Sequence, residues 1–423
     1  MQYCTRCLYP ANHPLYITFD AEGVCSGCRI HEEKDILDWA ERLNKLKKIA
    51  AEYKVKTRSI HDCVIPVNGA RDSYFIVHVV KNILGLNPLL VTYNKHYNTN
   101  LGIRNLAYLR SILGCDILTM TVSPERIKRI TRASLENRGS MYWHCLAGQT
   151  VFPVQIAVKF KIPLIIWGAH QGVDQVGMYS HLDEVEMTRK YRKEHDLMSL
   201  EAEDLLKNST NITSADIEQF IYPHDKEIES VGVRGIYLNN YIRWDTKAQH
   251  ELMIKMYHYE TMKQQRTFDT YNDVDCFHYS SLHDYIKFLK WGYGKVTDHA
   301  SREIRLKRMT REEGLEHLKQ YNSVKPIADL QLFLDWIEMN ESEFWPIIDK
   351  FRDQRVWGKD LEDKWQLKDS ILNHNFPEDD RINAVRLTKK ENCNFILTPS
   401  KDVSIKDNTY DLIGRGWVDK CSA

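Results

Sequence analysis

Two Cys-x2-Cys pairs near the amino terminus, Cys4/Cys7 and Cys25/Cys28, stand 17 residues apart. Thiolate pairs at that separation can each sit on a tight knuckle and close a tetrahedron around Zn²⁺, with no coordination position left open for hydrolysis. The expected role is structural, and four unconnected thiols are the plain alternative. A second stretch, "DCVIPVNGARDSYF" (Asp62 to Phe75), reads as a buried strand, a tight glycine-containing turn and a helix. Backbone N–H groups in such a turn, with the positive dipole end of the following helix, suit an anionic phosphate. Arg71 adds a full charge and Ser73 a hydroxyl, while an ordinary Asn-Gly turn is the competing reading. A third stretch, "GYGKVTDHASREIR", gathers Tyr293, Lys295, Asp298, His299 and Arg302 in one short span, with a Gly292-x-Gly294 turn preceding a Thr-Asp helix start. That mixture suits a loop closing on an anionic ligand, and a capped surface helix is its bland counterpart.

These groups need a frame to hold them. From Cys63 onward apolar runs alternate with helical periodicity, as in a parallel sheet covered on both faces by helices. Strands are expected at 63–67, 89–93, 116–121 and 163–167, with helices at 72–84, 101–113, 124–137 and 148–160. Ligands of such α/β sheets bind at the carboxyl ends of strands. The Asn68–Ser73 turn, Tyr93 and Asn94 after the next strand, and Gly168 and His170 after the fourth are therefore expected on one rim. Before the sheet, residues 32–54 carry Ile36, Trp39, Leu43, Leu46 and Ile49 on one helical stripe, which predicts a single docked helix.

The chain has 423 residues, 43% of them hydrophobic, enough for more than one folded unit. Lys plus Arg and Asp plus Glu balance at 58 each, which argues against coating a nucleic acid. No apolar run nears the roughly 20 residues that span a bilayer, and the start "MQYCTRCLYP" lacks a signal-peptide core. Ten cysteines in one quartet and six singles fit a reducing, cytoplasmic setting rather than a disulfide framework. His144 and Cys145 are adjacent, point in different directions and make a poor nucleophile and base. "RKYRKEH" (Arg189 to His195) reads as a solvated charge run. The aromatics of "LQLFLDWIEMNESEFWPIIDKF" fall at helical spacing and read as core.

"IPVNGARDSYF" resembles the pyrophosphate-binding loop of PP-loop ATPases, usually S-G-G-K-D-S. "YCTRCLYP…ITFDAEGVCSGCR", "FPVQIAVKFKIPLIIWG", "HDYIKFLKWGYGKVTDHASREIR" and "ADLQLFLDWIEMNESEFWPIIDKFRD" resemble one branch of them, the WbpG/PseA-like N-acetyl sugar amidotransferases. The resemblance implies an adenine-nucleotide-hydrolase-like α/β fold with a zinc ribbon at 1–30, a nucleotide-binding domain at 31–200, a helix-rich substrate portion at 201–363 and a tail at 364–423. It implies ATP and Mg²⁺ beside the structural Zn²⁺, with Asn68, Gly69, Ala70, Arg71, Asp72 and Ser73 on pyrophosphate and Tyr93, Asn94 and Gly168 near the nucleotide. Arg71, Asp72, Ser73 and His170 would be catalytic. Tyr241 and Trp244 of "YIRWD", with Tyr293, Lys295, Asp298, His299 and Arg302, would bind the sugar.

The implied reaction adenylates the N-acetyl amide oxygen of a nucleotide-linked or acidic sugar of lipopolysaccharide O-antigen or flagellin glycosylation, nonulosonic acids included. Ammonia then replaces that oxygen to give an acetamidino group. Its nitrogen would come from a HisH-like glutaminase through a HisF-like channelling partner. The loop departs from the usual pattern: Asn68 replaces Ser, Ala70 brings a Cβ that restricts positive φ, and Arg71 replaces Lys. Ala169 stands where an acidic residue is expected after "WG". Two alternatives remain: a PP-loop tRNA sulfurtransferase, which needs a cysteine pair near the sheet and a basic face, and a non-catalytic nucleotide-binding scaffold.

Overall fold

The computed structural model describes residues 1–56, 59–374 and 386–387. A short strand β1 (Phe19–Asp20) belongs to the cysteine-bearing amino-terminal unit, and helix α1 (Ser26–Glu33) carries Cys28. The central sheet follows, built from β2 (Cys63–Pro66), β3 (Pro88–Tyr93), β4 (Asp116–Met120), β5 (Leu164–Trp167) and β6 (Arg234–Tyr237). Its order is β4-β3-β2-β5-β6 and every pairing is parallel. Central β2 and β3 are apolar on both faces and buried, as parallel strands under two helical layers must be, whereas the edge strand β4 is partly exposed.

Helix α3 (Arg71–His78) leaves β2 through the glycine turn, and α4 (Asn100–Leu113) returns from β3 to β4. The α4 start is fixed by Thr99, whose Oγ1 accepts from Gly102 N–H at 2.9 Å, and its end by Gly114 in the left-handed region. Helices α5 (Pro124–Arg138) and α6 (Trp143–Phe160) complete the crossover to β5, and α7 (Gln171–Asp174) follows β5. Helices Ile327–Ile337 and Glu341–Asp349 bury Phe333, Leu334, Ile337, Phe344 and Ile348 in one cluster, as their periodicity predicts. No helix among the described residues is long and apolar enough to cross a membrane. The stretch "LTPSKDVSIKDNTYDLIGRGW" lies outside the described residues.

Two expectations change. The single helix over 32–54 is two: α1 ends at Glu33 and α2 runs Trp39–Lys56. Asp38 Oδ1 caps the second, accepting from Ala40 N–H at 2.9 Å and Glu41 N–H at 3.0 Å, and the break leaves Ile36 83% exposed. The sheet also does not end near residue 200, because its fifth strand is β6, after a run of short helical turns.

Candidate functional site

The Asn68–Ser73 turn sits at the carboxyl end of β2, the middle strand, and is held by its own side chains. Asn68 N–H donates to Ser73 Oγ at 2.8 Å, Ala70 N–H donates to Asn68 Oδ1 at 2.9 Å, and the Ser73 hydroxyl donates to the same oxygen at 3.0 Å. Asn68 thus bridges the turn. Gly69 packs so tightly against the α4 start that an added Cβ would fall inside the Gly102 carbonyl, and Gly102 itself packs against the Asp275 backbone. Ala70 has φ −95° and ψ 166°, extended backbone open to any residue, so its Cβ brings none of the strain expected from a missing glycine.

Beside the turn lies a cavity of about 330 Å³, lined by Asn68, Gly69, Tyr93, Asn94, Lys95 and the α4 face around Ile103 and Arg110. The expected nucleotide-facing residues Asn68, Gly69, Tyr93 and Asn94 are brought together here. Tyr93 contributes its ring, since its hydroxyl is buried against His144 Nδ1 at 3.0 Å. Volume, a glycine-bounded wall and a few polar groups at strand ends are the usual features of a small-molecule site.

On the α3 N-terminus side, the charges converge from distant segments. Arg71 is buried: its Nε donates to Asn272 Oδ1 at 2.7 Å and its guanidinium pairs with Asp72. Its charge therefore ties α3 to the segment 269–275. The Asp72 side chain keeps 43% exposure yet is hemmed in by protein, as on the floor of a cleft. Desolvation raises its pKa, and Asp273 and Asp174 push the same way against Arg71.

The helix Lys295–Arg305 presents Lys295, His299 and Arg302 to that same segment. Lys295 Nζ lies 3.0 Å from Asp273, His299 Nδ1 is 2.8 Å from Thr267 Oγ1, and Arg302 donates to Asp269 at 2.9 Å and to the Tyr271 hydroxyl at 3.2 Å. Burial alone would raise the Asp269 and Asp273 carboxyls, but His299 and Arg302 hold the first down and Lys295 the second. Burial lowers His299 to about 4, Asp269 opposing, so its imidazole is neutral at pH 7. Asp298 sits apart, paired with Lys287 at 2.6 Å. The partners Asp269, Asn272, Asp273 and the buried Lys95–Asp275 pair, at 2.5 Å, were not singled out from sequence. Their only sequence signal is the acidic run "DTYNDVD".

The four cysteine sulfurs lie within 4.8 Å of one another, all buried, with Cys4–Cys28 at 4.0 Å and Cys7–Cys25 at 3.6 Å. Tetrahedral Zn²⁺ with Zn–S near 2.3 Å requires sulfur–sulfur edges of about 3.8 Å, so the set fits the ion. Backbone N–H groups of Cys7 and Cys25 donate to Cys4 Sγ at 3.3 Å each, and Arg305 Nη2 approaches Cys25 Sγ at 3.5 Å. Arg305 Nη1 also donates to the Gln175 carbonyl at 2.5 Å, Ser26 Oγ to the Val176 carbonyl at 2.6 Å, and Lys34 pairs with Asp174. The cysteine unit therefore clamps the α7 segment that brings Asp174 to the cleft.

Several expected site residues lie elsewhere. Tyr241 and Trp244 are core side chains, 1% and 2% exposed, and Trp244 packs edge-on against Phe75 at 5.6 Å, because the turn after β6 folds the chain back beneath α3. Tyr293 packs with Tyr9 and His13 against the cysteine unit. His170 lines a different cavity from Asn68 and Gly69, capping α7 by accepting from Gly172 N–H at 3.1 Å. Gly168 packs against Ile76 of α3 and Trp244. Ala169 lines the His170 cavity. Arg189 to His195 is no solvated run, since Tyr191 and Arg192 are buried. His144 and Cys145 are fully buried, and burial pushes the thiol up, away from nucleophilic use.

No curated protein matches the chain. The solved structure of NMN synthetase from Francisella tularensis aligns with 55% of this chain and 100% of its own, at 14% identity and a TM-score of 0.25. The family described as LPS biosynthesis protein WbpG-like, C-terminal domain, matches residues 265–371, a span holding both the acidic segment 269–275 and the helix that faces it. Over those residues the chain is similar to the WbpG-like family.

Proposed function

We propose that the protein is a cytoplasmic nucleotide-utilising enzyme of the PP-loop kind, and within that class an AMP-forming N-acetyl sugar amidotransferase. The observation that carries the reading is the self-braced Asn68–Ser73 turn at the end of β2, between a cavity of about 330 Å³ and a charged cleft. The unpaired N–H groups at the start of α3 suit phosphate oxygens, and the cavity suits the nucleoside. ATP would supply the adenylyl group that turns an amide oxygen into a leaving group.

Asp72 is the accessible carboxylate at the helix start. Among the described residues no three carboxylates converge into a cage, and the cysteine quartet alone has metal-holding geometry. That fits Mg²⁺, which is typically held by one or two carboxylates together with phosphate oxygens. Lys295 and Arg302, fixed by Asp273 and Asp269, would orient an acidic or nucleotide-linked sugar of O-antigen or flagellin glycosylation. Neutral His299 can take a proton from ammonia as it adds to the activated carbon. HisH-like and HisF-like partners would deliver that ammonia.

One observation favours a second reading, a nucleotide-binding scaffold without turnover: the Arg71 guanidinium and Ser73 hydroxyl are both engaged by protein groups. Incubation with ATP, Mg²⁺, ammonium and a panel of N-acetylated sugars separates the two. Pyrophosphate release that depends on a sugar, with the mass change of O replaced by NH, supports the amidotransferase. Nucleotide binding without either product supports the scaffold, and no nucleotide binding defeats both.

A further inference from the structure

A second cavity, of about 160 Å³, lies at the carboxyl ends of β5 and β6 and shares no lining residue with the first. Its wall is aromatic. The rings of His170 and Tyr191 are 4.2 Å apart, those of His170 and Tyr237 are 4.6 Å apart, and Trp167 stacks with Tyr237 at 6.4 Å. Arg192 lies over the ring of Tyr222 at 4.8 Å.

Four polar atoms on these lining residues are buried without a hydrogen-bond partner: Trp167 Nε1, His170 Nε2, Tyr191 Oη and Arg192 Nη2. All four can donate. His170 Nδ1 accepts from Gly172 N–H, so the proton of the neutral ring resides on Nε2. The guanidinium is not loose, because Nε donates to Thr150 Oγ1 at 2.9 Å and Nη1 to Glu201 at 2.8 Å, leaving Nη2 unused. Folded interiors rarely leave buried donors unpaired, and four on the residues around one cavity is a concentration that calls for acceptors. Asp196, also on the wall, is pushed up to about 7 by burial, so at neutral pH it opposes an anion with only part of a charge.

Size and lining narrow the occupant. A cavity of about 150 Å³ accommodates benzene, so this one matches a single six-membered ring. Aromatic faces suit the ring, and four donors that include a guanidinium suit a carboxylate. We propose that this cavity binds a single-ring carboxylate, its oxygens taking the unused donors of Trp167, His170, Tyr191 and Arg192. This does not rest on the nucleotide reading.

Calorimetric titration of the full chain with glucuronate, benzoate, glucose and acetate tests it. Glucuronate or benzoate should bind at least about tenfold more tightly than both glucose, a ring without the charge, and acetate, a charge without the ring. Tyr191→Phe, which keeps the ring and removes one donor, and Trp167→Phe, which keeps an aromatic face but removes the donor together with the five-membered ring of the indole, should each weaken that binding about tenfold, with the circular dichroism spectrum unchanged. Silence with both ring carboxylates, equal binding of glucose or acetate, or unaltered binding in folded Tyr191→Phe overturns the proposal. So does a crystal soaked in glucuronate that shows only water in the cavity.

Discussion

Arg71 Nε donates to Asn272 Oδ1 at 2.7 Å, joining the start of α3 to a segment 201 positions later in the chain. The bond explains why an arginine serves at this turn: a guanidinium can bond Asn272 and pair with Asp72 together, where an ammonium offers no planar fork. Arg71→Ala and Asn272→Ala should therefore not be additive. A double-mutant cycle by urea denaturation should return a coupling of about 1–3 kcal/mol, as for a buried charge-assisted bond. Additive losses would show that the contact contributes nothing to joining the two halves of the cleft.

Gly69 and Ala70 are neighbours with opposite prospects. A Cβ at Gly69 would meet backbone of α4, which cannot yield as a flexible side chain would, so Gly69→Ala should weaken nucleotide binding at least about tenfold by displacing the turn from the cavity. Ala70→Gly removes a methyl from backbone that was never strained, and should leave nucleotide affinity within about twofold. Titration of both variants with ATP in Mg²⁺ checks the pair. Tighter binding in Ala70→Gly would restore the view that this methyl obstructs the phosphate.

The strands at 63–66, 88–93 and 164–167 were legible because a strand buried on both faces is an unbroken apolar run, such as "PLLVTY" or "LIIW", while the partly exposed edge strand at 116–120 was legible from its place in the alternation of strands and helices. The fifth, "RGIY", is four residues with a charged start and carries too little pattern to see. The site was half legible for a similar reason. A glycine turn between strand and helix and a cluster of charges on one helix are local signals. Asp269, Asn272 and Asp273 matter only because folding sets them against Lys295, Arg302 and Arg71, and no spacing records that. Trp244 was misread because charges flank it in "YIRWD", although its own ring turns inward onto Phe75.

Arg305 stands beside the sulfurs of Cys7 and Cys25 and also holds the Gln175 carbonyl, so it should connect metal affinity to the position of α7. A tetrathiolate zinc centre carries two net negative charges, which a buried guanidinium offsets. Arg305→Met keeps bulk and removes the charge. It should lower zinc affinity about tenfold or more, measured by competition with a chromogenic chelator, and quicken proteolysis around Asp174. Cys25→Ser should abolish stoichiometric zinc in the purified protein. Full zinc content at unchanged affinity in Arg305→Met would limit that arginine to packing.

Asp196 gives a pH dependence of definite sign. Its carboxyl titrates near 7 in the folded chain because burial disfavours the charged form, with Arg192 pulling the other way, and near 3.9 when unfolded. Between about pH 4 and pH 7 the native state therefore holds a proton that the unfolded chain has released. Stability from this group must fall as pH rises through that window, by at most about 1.4 kcal/mol per unit, and level off above 7. Buried histidines such as His170, held near 3, slope the other way over part of the same range, so the total curve hides the effect. The difference between wild type and Asp196→Asn isolates it. Urea midpoints taken from about pH 4 to pH 8 should show the variant gaining on the wild type as pH rises, with most of the gain complete by pH 7. Parallel curves would mean that Asp196 keeps an ordinary carboxylate pKa and that the His170 cavity is wetter and more polar than its lining implies.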